Sequence, residues 1–254
     1  MELQLRGKVA IVTGASRGIG LAVASLLVDE GMRVFAISRS GLPPDHGAVQ
    51  IQLDMQEAGA GKAAVAACME RFGQLDVLVN NVGSGRIGTG FASESDEHWQ
   101  EFWNLNFMSA VRVSRSALPH LTEPGGVIVN VSSINGAMPE SGIYSYSATK
   151  AAMNNMTVGL AREVASRGIR VVGVAPGPVS TPLWLGSYGV AAQASAMGAG
   201  EPADIVAAAE RAIPLGRFST AEEIAAAVAF LASPQAGSIT GATLRIDGGL
   251  TPTV

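Results

Sequence analysis

Apolar residues fall along this chain in short unbroken runs, at 9–13, 33–37, 49–53, 77–80, 127–131, 170–175 and 244–246. Valine and isoleucine dominate them. They do not alternate with polar residues as a strand with one wet face would, so they predict strands covered on both faces. Longer amphipathic stretches lie between, predicting helices at about 18–30, 61–71, 97–121, 147–166 and 221–231. Such alternation of strand and helix predicts an α/β fold, a doubly wound parallel sheet with helices on both faces. No linker rich in Pro, Ser or Gly divides the chain, so residues 1–254 read as a single domain. Only 181–217 breaks the rhythm, with Pro182, Trp184, Tyr188 and Pro214. It is longer than an ordinary connection and is expected to cover a substrate.

Composition narrows the picture. Of the 254 residues, 48% are apolar and 15% charged, with no apolar run of membrane-spanning length and no leader at Met1, which implies a cytoplasmic protein and no membrane partner. Seventeen basic and 21 acidic residues give a net charge of −4, and the basic ones are scattered, which argues against nucleic acid as a partner. Cys68 is the only cysteine and reads as a small buried hydrophobe. His46, His98 and His120 share no ligand spacing, so no metal is expected.

Chemistry enters after the first strand, at Thr13-Gly14-Ala15-Ser16-Arg17-Gly18-Ile19-Gly20. Glycines here allow a tight turn and close approach to a pyrophosphate, and the helix that follows offers free N–H groups at its positive end. At the first strand-helix junction of a parallel sheet this implies a Rossmann-type dinucleotide site. The second strand ends Ser38-Arg39-Ser40, with no carboxylate to receive a ribose 2′-hydroxyl. Arg39, helped by Arg17, suits a 2′-phosphate, and the cofactor expected is NADP(H). Asp54, after the third strand, either faces the adenine amino group or caps the following turn.

Tyr146-Ser147-Ala148-Thr149-Lys150 sets a phenol and an ammonium four residues apart, on one helix face. A nearby ammonium would lower the phenol's pKa and suit it to proton transfer. Together these motifs resemble the short-chain dehydrogenase/reductase family over essentially the whole chain. Further matches are Asn80-Asn81-Val82-Gly83, with Val82 where alanine is usual, Pro176-Gly177-Pro178-Val179-Ser180-Thr181, Gly216-Arg217-Phe218, and Thr240-Gly241 through Asp247-Gly248-Gly249.

The resemblance implies reduction of a carbonyl to a secondary alcohol, with Tyr146 as acid/base, Ser133 polarising the carbonyl oxygen, and Lys150 tuning Tyr146 and holding the nicotinamide ribose. Asn106 would anchor a water that reprotonates Lys150; its neighbour Asn104 is excluded by its flanks, and Ser132 is left as a backbone partner. The cofactor would be held by Gly14, Ser16, Arg17, Gly18, Ile19, Gly20, Ser38, Arg39 and Asp54. Asn81, Val82, Gly83, Tyr146, Lys150, Pro176 and Gly177 would continue that site, with Val179 at the carboxamide and Thr181 at the diphosphate. A homotetramer, or a homodimer, is implied as well. Gly85, Ile134, Met138, Ile143, Pro178, Trp184 and Tyr188 are expected to line a substrate pocket or, equally, to be core or subunit contacts. Rival readings are an NAD-linked alcohol dehydrogenase, a 3-oxoacyl-acyl carrier protein reductase using Arg167 to meet an acidic carrier, and a non-catalytic dinucleotide sensor.

Overall fold

A computed structural model describes residues 2–43, 46–88 and 90–252. Seven parallel strands form one sheet in the order β3-β2-β1-β4-β5-β6-β7, where β1 is Val9–Thr13, β2 Arg33–Ser38, β3 Val49–Gln52, β4 Val77–Asn80, β5 Val127–Val131, β6 Arg170–Pro176 and β7 Thr243–Ile246. The order reverses between β1 and β4, which opens a crevice at their C-terminal ends.

Successive strand residues point to opposite faces, and each face has its own core. On one side Ala10, Val12, Val34 and Val79 pack against Val23 and Leu27 of α1 (Gly18–Asp29) and Ile224 and Val228 of α9 (Ala221–Ala232). On the other, Val9, Ile11, Phe35, Leu78 and Ile128 meet Cys68 of α2 (Ala60–Phe72), Val113 of α4 (Ser109–Ala117) and Ala161 of α5 (Tyr144–Val164). Backbones come close where residues are small: a Cβ on Gly61 in α2 would stand 2.7 Å from the α4 backbone.

Within the second layer a polar row runs through the core. Asn80 Nδ2 donates to Ser114 Oγ (2.9 Å) and Asn130 Oδ1 (2.8 Å), and Asn130 Nδ2 donates to Thr157 Oγ1 (2.9 Å). It ties β4 and β5 to α4 and α5.

Three expectations need correction. The two edge strands are not doubly covered: half-buried and exposed positions alternate along β3, and β7 has no buried position, because both lie at the sheet's edges. The helix expected at 97–121 is interrupted. It runs as α3 (Asp96–Trp103), a wider π-helical turn at Asn104–Met108, α4, and a tight turn at Leu118–His120. The helix expected from 147 starts at Tyr144, so Tyr146 stands in its first turn. The stretch 181–217 holds α6 (Pro182–Leu185), α7 (Val190–Ala196) and α8 (Pro202–Ala212).

Sheet assembly at the N-terminal ends of β1 and β4, opposite the crevice, depends on Asp76. Its carboxylate is buried and accepts from Val9 N–H (2.7 Å) and Gln74 Nε2 (2.6 Å). Asp76→Ala would strand the buried Val9 amide. The expected cost is about 2–3 kcal/mol, read as a lower urea midpoint at unchanged slope. A shift below roughly 0.5 kcal/mol would show that the contact is dispensable.

Candidate active site

The glycine turn is built by exclusion. Gly14 and Gly18 adopt φ of +66° and +54°, and a Cβ on Gly20 would lie 2.2 Å from Gly14 O and 2.4 Å from Asn81 Nδ2. Only glycine lets α1 come this near the end of β1. Asn81 braces the turn, donating from Nδ2 to the carbonyls of Thr13 and Gly14 (both 3.1 Å), while its own amide donates to Thr13 Oγ1 (3.0 Å). At the N-terminus of α1 no side chain caps the backbone and no acidic residue occupies the first turn, so its positive end faces the crevice uncompensated.

A cleft of about 470 Å³ extends to both sides of this turn. Gly14, Ser16, Arg17, Gly18, Ile19 and Gly20 line its middle; Ser38, Arg39 and Asp54, from the ends of β2 and β3, line one wing. Arg39 is well exposed and its Nη1 lies 3.9 Å from Asp54 Oδ2. Asp54 also caps its turn, Oδ1 accepting from Gln56 N–H (3.0 Å), so of the two readings of this residue the cap is realised. Ser38 Oγ accepts from Gly41 N–H (3.1 Å).

The other wing is lined by Asn81, Val82, Gly83, Tyr146, Lys150 and Thr181. Lys150 is buried and its Nζ donates to Val131 O (2.9 Å), 5.7 Å from the Tyr146 ring centre. Ser133 stands beside Tyr146, its Oγ donating to Asn135 Oδ1 (3.1 Å) and accepting from Asn135 N–H (3.2 Å). Burial pushes the Tyr146 phenol up and the Ser133 hydrogen bond pulls it partly back. Burial lowers Lys150 to about 8. The net lowering expected of the Tyr146 pKa is not found: desolvation is the largest effect on the phenol, and Tyr146 is held as the neutral acid.

Ser132 takes the backbone role expected of it, donating from Oγ to Lys150 O (3.3 Å). A Cβ on Gly136 would stand 2.9 Å from that carbonyl, so the Ser133 turn sits directly on α5.

Asn106 is fully buried in the π-helical turn, one layer behind the cleft wall. Its Oδ1 accepts from Ser84 N–H (2.8 Å), and its Nδ2 has no protein partner among the described residues. A Cβ on Gly83 would lie 3.0 Å from Asn106 Oδ1 and 3.4 Å from Lys150 Nζ, so glycine lets the three groups meet. Asn104 is engaged by Arg112 Nη2 (3.1 Å), whose Nη1 donates to Gln56 O (2.9 Å). Arg112 thereby links the Asp54 turn to the Asn106 turn. Sequence reading missed it; its only local signal is a place two helical turns beyond Asn104.

Pro176, Gly177 and Val179 do not line the cleft. Gly177 packs on Asp247, where a Cβ would come within 2.9 Å, and the Val179 side chain lies in the core, its carbonyl accepting from Thr181 N–H (2.7 Å). Thr181 is 3.4 Å from the space over Gly18. Of the expected pocket residues, Ile134 is buried, Trp184 packs on Phe218 (ring centres 4.9 Å apart) and Tyr188 is 91% exposed. Arg167 is not free to meet a carrier: it pairs with Glu123 (Nε 2.7 Å) and donates to Leu118 O. Among the described residues no cluster could hold a metal, and no helix is long and apolar enough to cross a membrane.

Comparison with known proteins places this geometry. Residues 14–251 match a family model described as enoyl-(acyl carrier protein) reductase. The chain is 37% identical to the 3-oxoacyl-(acyl-carrier-protein) reductase of Vibrio cholerae, over 98% of this chain and 99% of that one. It is 36% identical to 3beta-hydroxysteroid dehydrogenase 1 of Eggerthella lenta, over 97% and 95%. The L-sorbose reductase of Gluconobacter frateurii, solved with NADPH and L-sorbose, superposes with a TM-score of 0.91 at 31% identity, covering 100% of both chains.

Lys150 makes stability depend on pH. In the unfolded chain its ammonium keeps the proton up to its ordinary 10.5, in the folded chain only to about 8, so between these values the unfolded state binds more protons and stability rises with pH. Cys68, raised from 9.0 to about 12, works in the opposite sense above pH 9. The unfolding free energy is therefore expected to climb between pH 8 and 9, and Lys150→Met to flatten that climb. Urea titrations of both proteins at the two pH values check this, and equal slopes would refute it.

Proposed function

The chain belongs to the short-chain dehydrogenase/reductase family, and we propose that it is an NADPH-dependent reductase that converts a ketone to a secondary alcohol, with Tyr146 supplying the proton. The observation that carries this reading is the pairing of Tyr146 and Lys150 at one wing of a cleft whose other wing bears Arg39, with Ser133 beside Tyr146.

The residues fit a nicotinamide dinucleotide. The missing Cβ atoms at Gly14, Gly18 and Gly20 expose backbone at the uncapped N-terminus of α1, as a diphosphate requires. Arg39 and Arg17 would hold the 2′-phosphate; Asn81, Val82, Gly83, Lys150 and Thr181 would flank the nicotinamide half. When bound, NADPH supplies the hydride. The sorbose reductase, which was solved with this cofactor and a ketose, supports the choice.

Ser133 and Tyr146 are neighbours, and a carbonyl oxygen set between their hydroxyls would receive two hydrogen bonds that strengthen as it gains negative charge. Tyr146, kept protonated by burial, then releases its proton to that oxygen. Lys150 lies behind the ring, where a positive charge stabilises the phenolate left behind, and Asn106 borders its ammonium across Gly83. Because Arg167 is already paired, we assign a free ketone rather than a carrier-bound one. Exposed Trp103 and Val158, on α3 and α5, support the homotetramer that the resemblance implies, working in the cytoplasm.

Initial rates of NADPH and NADH oxidation against a ketone panel test this. Tyr146→Phe is expected to keep NADPH affinity and to lower turnover by at least roughly 10²-fold; near wild-type turnover would sink the assignment. Arg39→Asp is expected to raise the Kd of NADPH much more than that of NADH, through a lost charge-assisted pair and new repulsion. Equal effects, read by fluorescence titration, would remove Arg39 from phosphate recognition.

A further inference from the structure

Three stretches of chain leave the cleft lining near Tyr146 and form its rim. One follows Ser84, another precedes Tyr144 at the start of α5, and the third runs from Leu183 into α7. Hydrogen bonds join them in sequence. Gly88 N–H donates to Gly142 O (2.7 Å), which ties the first stretch to the second. Ile87 N–H donates to Gln193 Oε1 (2.9 Å), and Gln193 Nε2 donates to Tyr188 O (2.9 Å), which ties the first to the third. One side-chain amide on α7 thus bridges to the first stretch through Oε1, while its Nε2 holds the turn before α7. The stretch it holds lies outside strand and helix at 84–88 and contains Gly85 and Gly88, so its backbone has little of its own to keep it in place.

The segment on the other side of this bridge is unusually apolar where it meets water. Leu185 is 52% exposed, Tyr188 91% and Met197 45%. A rim held by polar bonds, with apolar side chains standing outside it, has its circumference set by the bonds and not by packing.

We propose that Gln193 is a specificity-determining residue that sets the largest ketone the enzyme admits, by latching the α6–α7 segment to the Ile87–Gly88 stretch across the mouth beyond Tyr146. The inference rests on the reading of Tyr146 as the proton donor to the substrate. Compact ketones pass the closed rim. Bulky apolar ones need it opened, and then gain contact with Leu185, Tyr188 and Met197. Glutamine suits the post because one amide both accepts and donates; methionine has its length without either capacity, and glutamate keeps the acceptor but not the donor.

The test compares cyclohexanone with a tetracyclic ketone in the full chain with NADPH, alongside amide hydrogen exchange. In Gln193→Met the ratio of kcat/KM for the tetracyclic ketone to that for cyclohexanone is expected to rise at least roughly tenfold, carried by KM, and exchange at Ile87 to quicken by a similar factor. Gln193→Glu, which keeps the acceptor for Ile87 N–H, is expected to keep Ile87 slow and the ratio near its wild-type value; a widened ratio beside slow exchange would overturn the latch as the size limit, which preserves the test should the methionine variant misfold. Unchanged exchange at Ile87 in Gln193→Met would overturn the latch whatever the kinetics. Faster exchange beside an unchanged ratio would overturn the size limit alone. A wild type inactive on both ketones, and no less active as Tyr146→Phe, would overturn the reading of Tyr146 and the size limit with it, while the exchange measurement still reports on the latch.

Discussion

The row of buried amides and hydroxyls from Ser114 through Asn80 and Asn130 to Thr157 is the constraint on which the rest of the site depends. Apolar contacts alone would let α4 and α5 slide on the sheet with little penalty, because valine packs on alanine in many registers. Hydrogen bonds of 2.8–2.9 Å between side chains in a dry core do not tolerate that slide. They fix α5, hence Tyr146 and Lys150, against β5, which delivers Ser133. Through α4 they fix the π-helical turn that carries Asn106. Tyr146, Lys150 and Asn106 are therefore positioned from below, by the core, and the cleft surface inherits that precision.

Electrostatically the two wings differ in kind. Lys150 is enclosed, its charge opposed by burial and supported by the Val131 carbonyl, so its protonation responds to small changes around it. Arg39 and Asp54 face water at 3.9 Å, where an ion pair contributes little. A dianionic phosphate can take Arg39 from Asp54 with almost no loss, whereas nothing in the protein competes for the place of Lys150. In the proposed reading, cofactor choice sits on an adjustable surface and chemistry on a rigid interior.

How much of this was legible beforehand follows the same division. Strands covered on both faces announce themselves as unbroken apolar runs, and the five inner strands were read from that sign; β3 and β7 misled because they are edge strands, open to water. The π-helical turn was invisible, since Asn104-Leu105-Asn106-Phe107-Met108 holds no proline or glycine and reads as ordinary helix. The glycine turn and the Tyr146/Lys150 pair are local patterns and could be read directly. Arg112 and Gln193 could not, because their partners Gln56 and Ile87 lie 56 and 106 residues away. The direction of the Tyr146 shift was misjudged for a related reason: spacing reveals that two groups share a face, but not how much water surrounds them.

Cys68 lies against the sheet within α2, wholly buried, its thiol pushed up to about 12. A thiol that does not ionise neither attacks electrophiles nor oxidises readily. For anyone handling this protein, the natural chain behaves as though it had no cysteine. One placed on the surface, at Met197 or Tyr188 for instance, would be a unique point of attachment for a dye or spin label, with no native site to remove first.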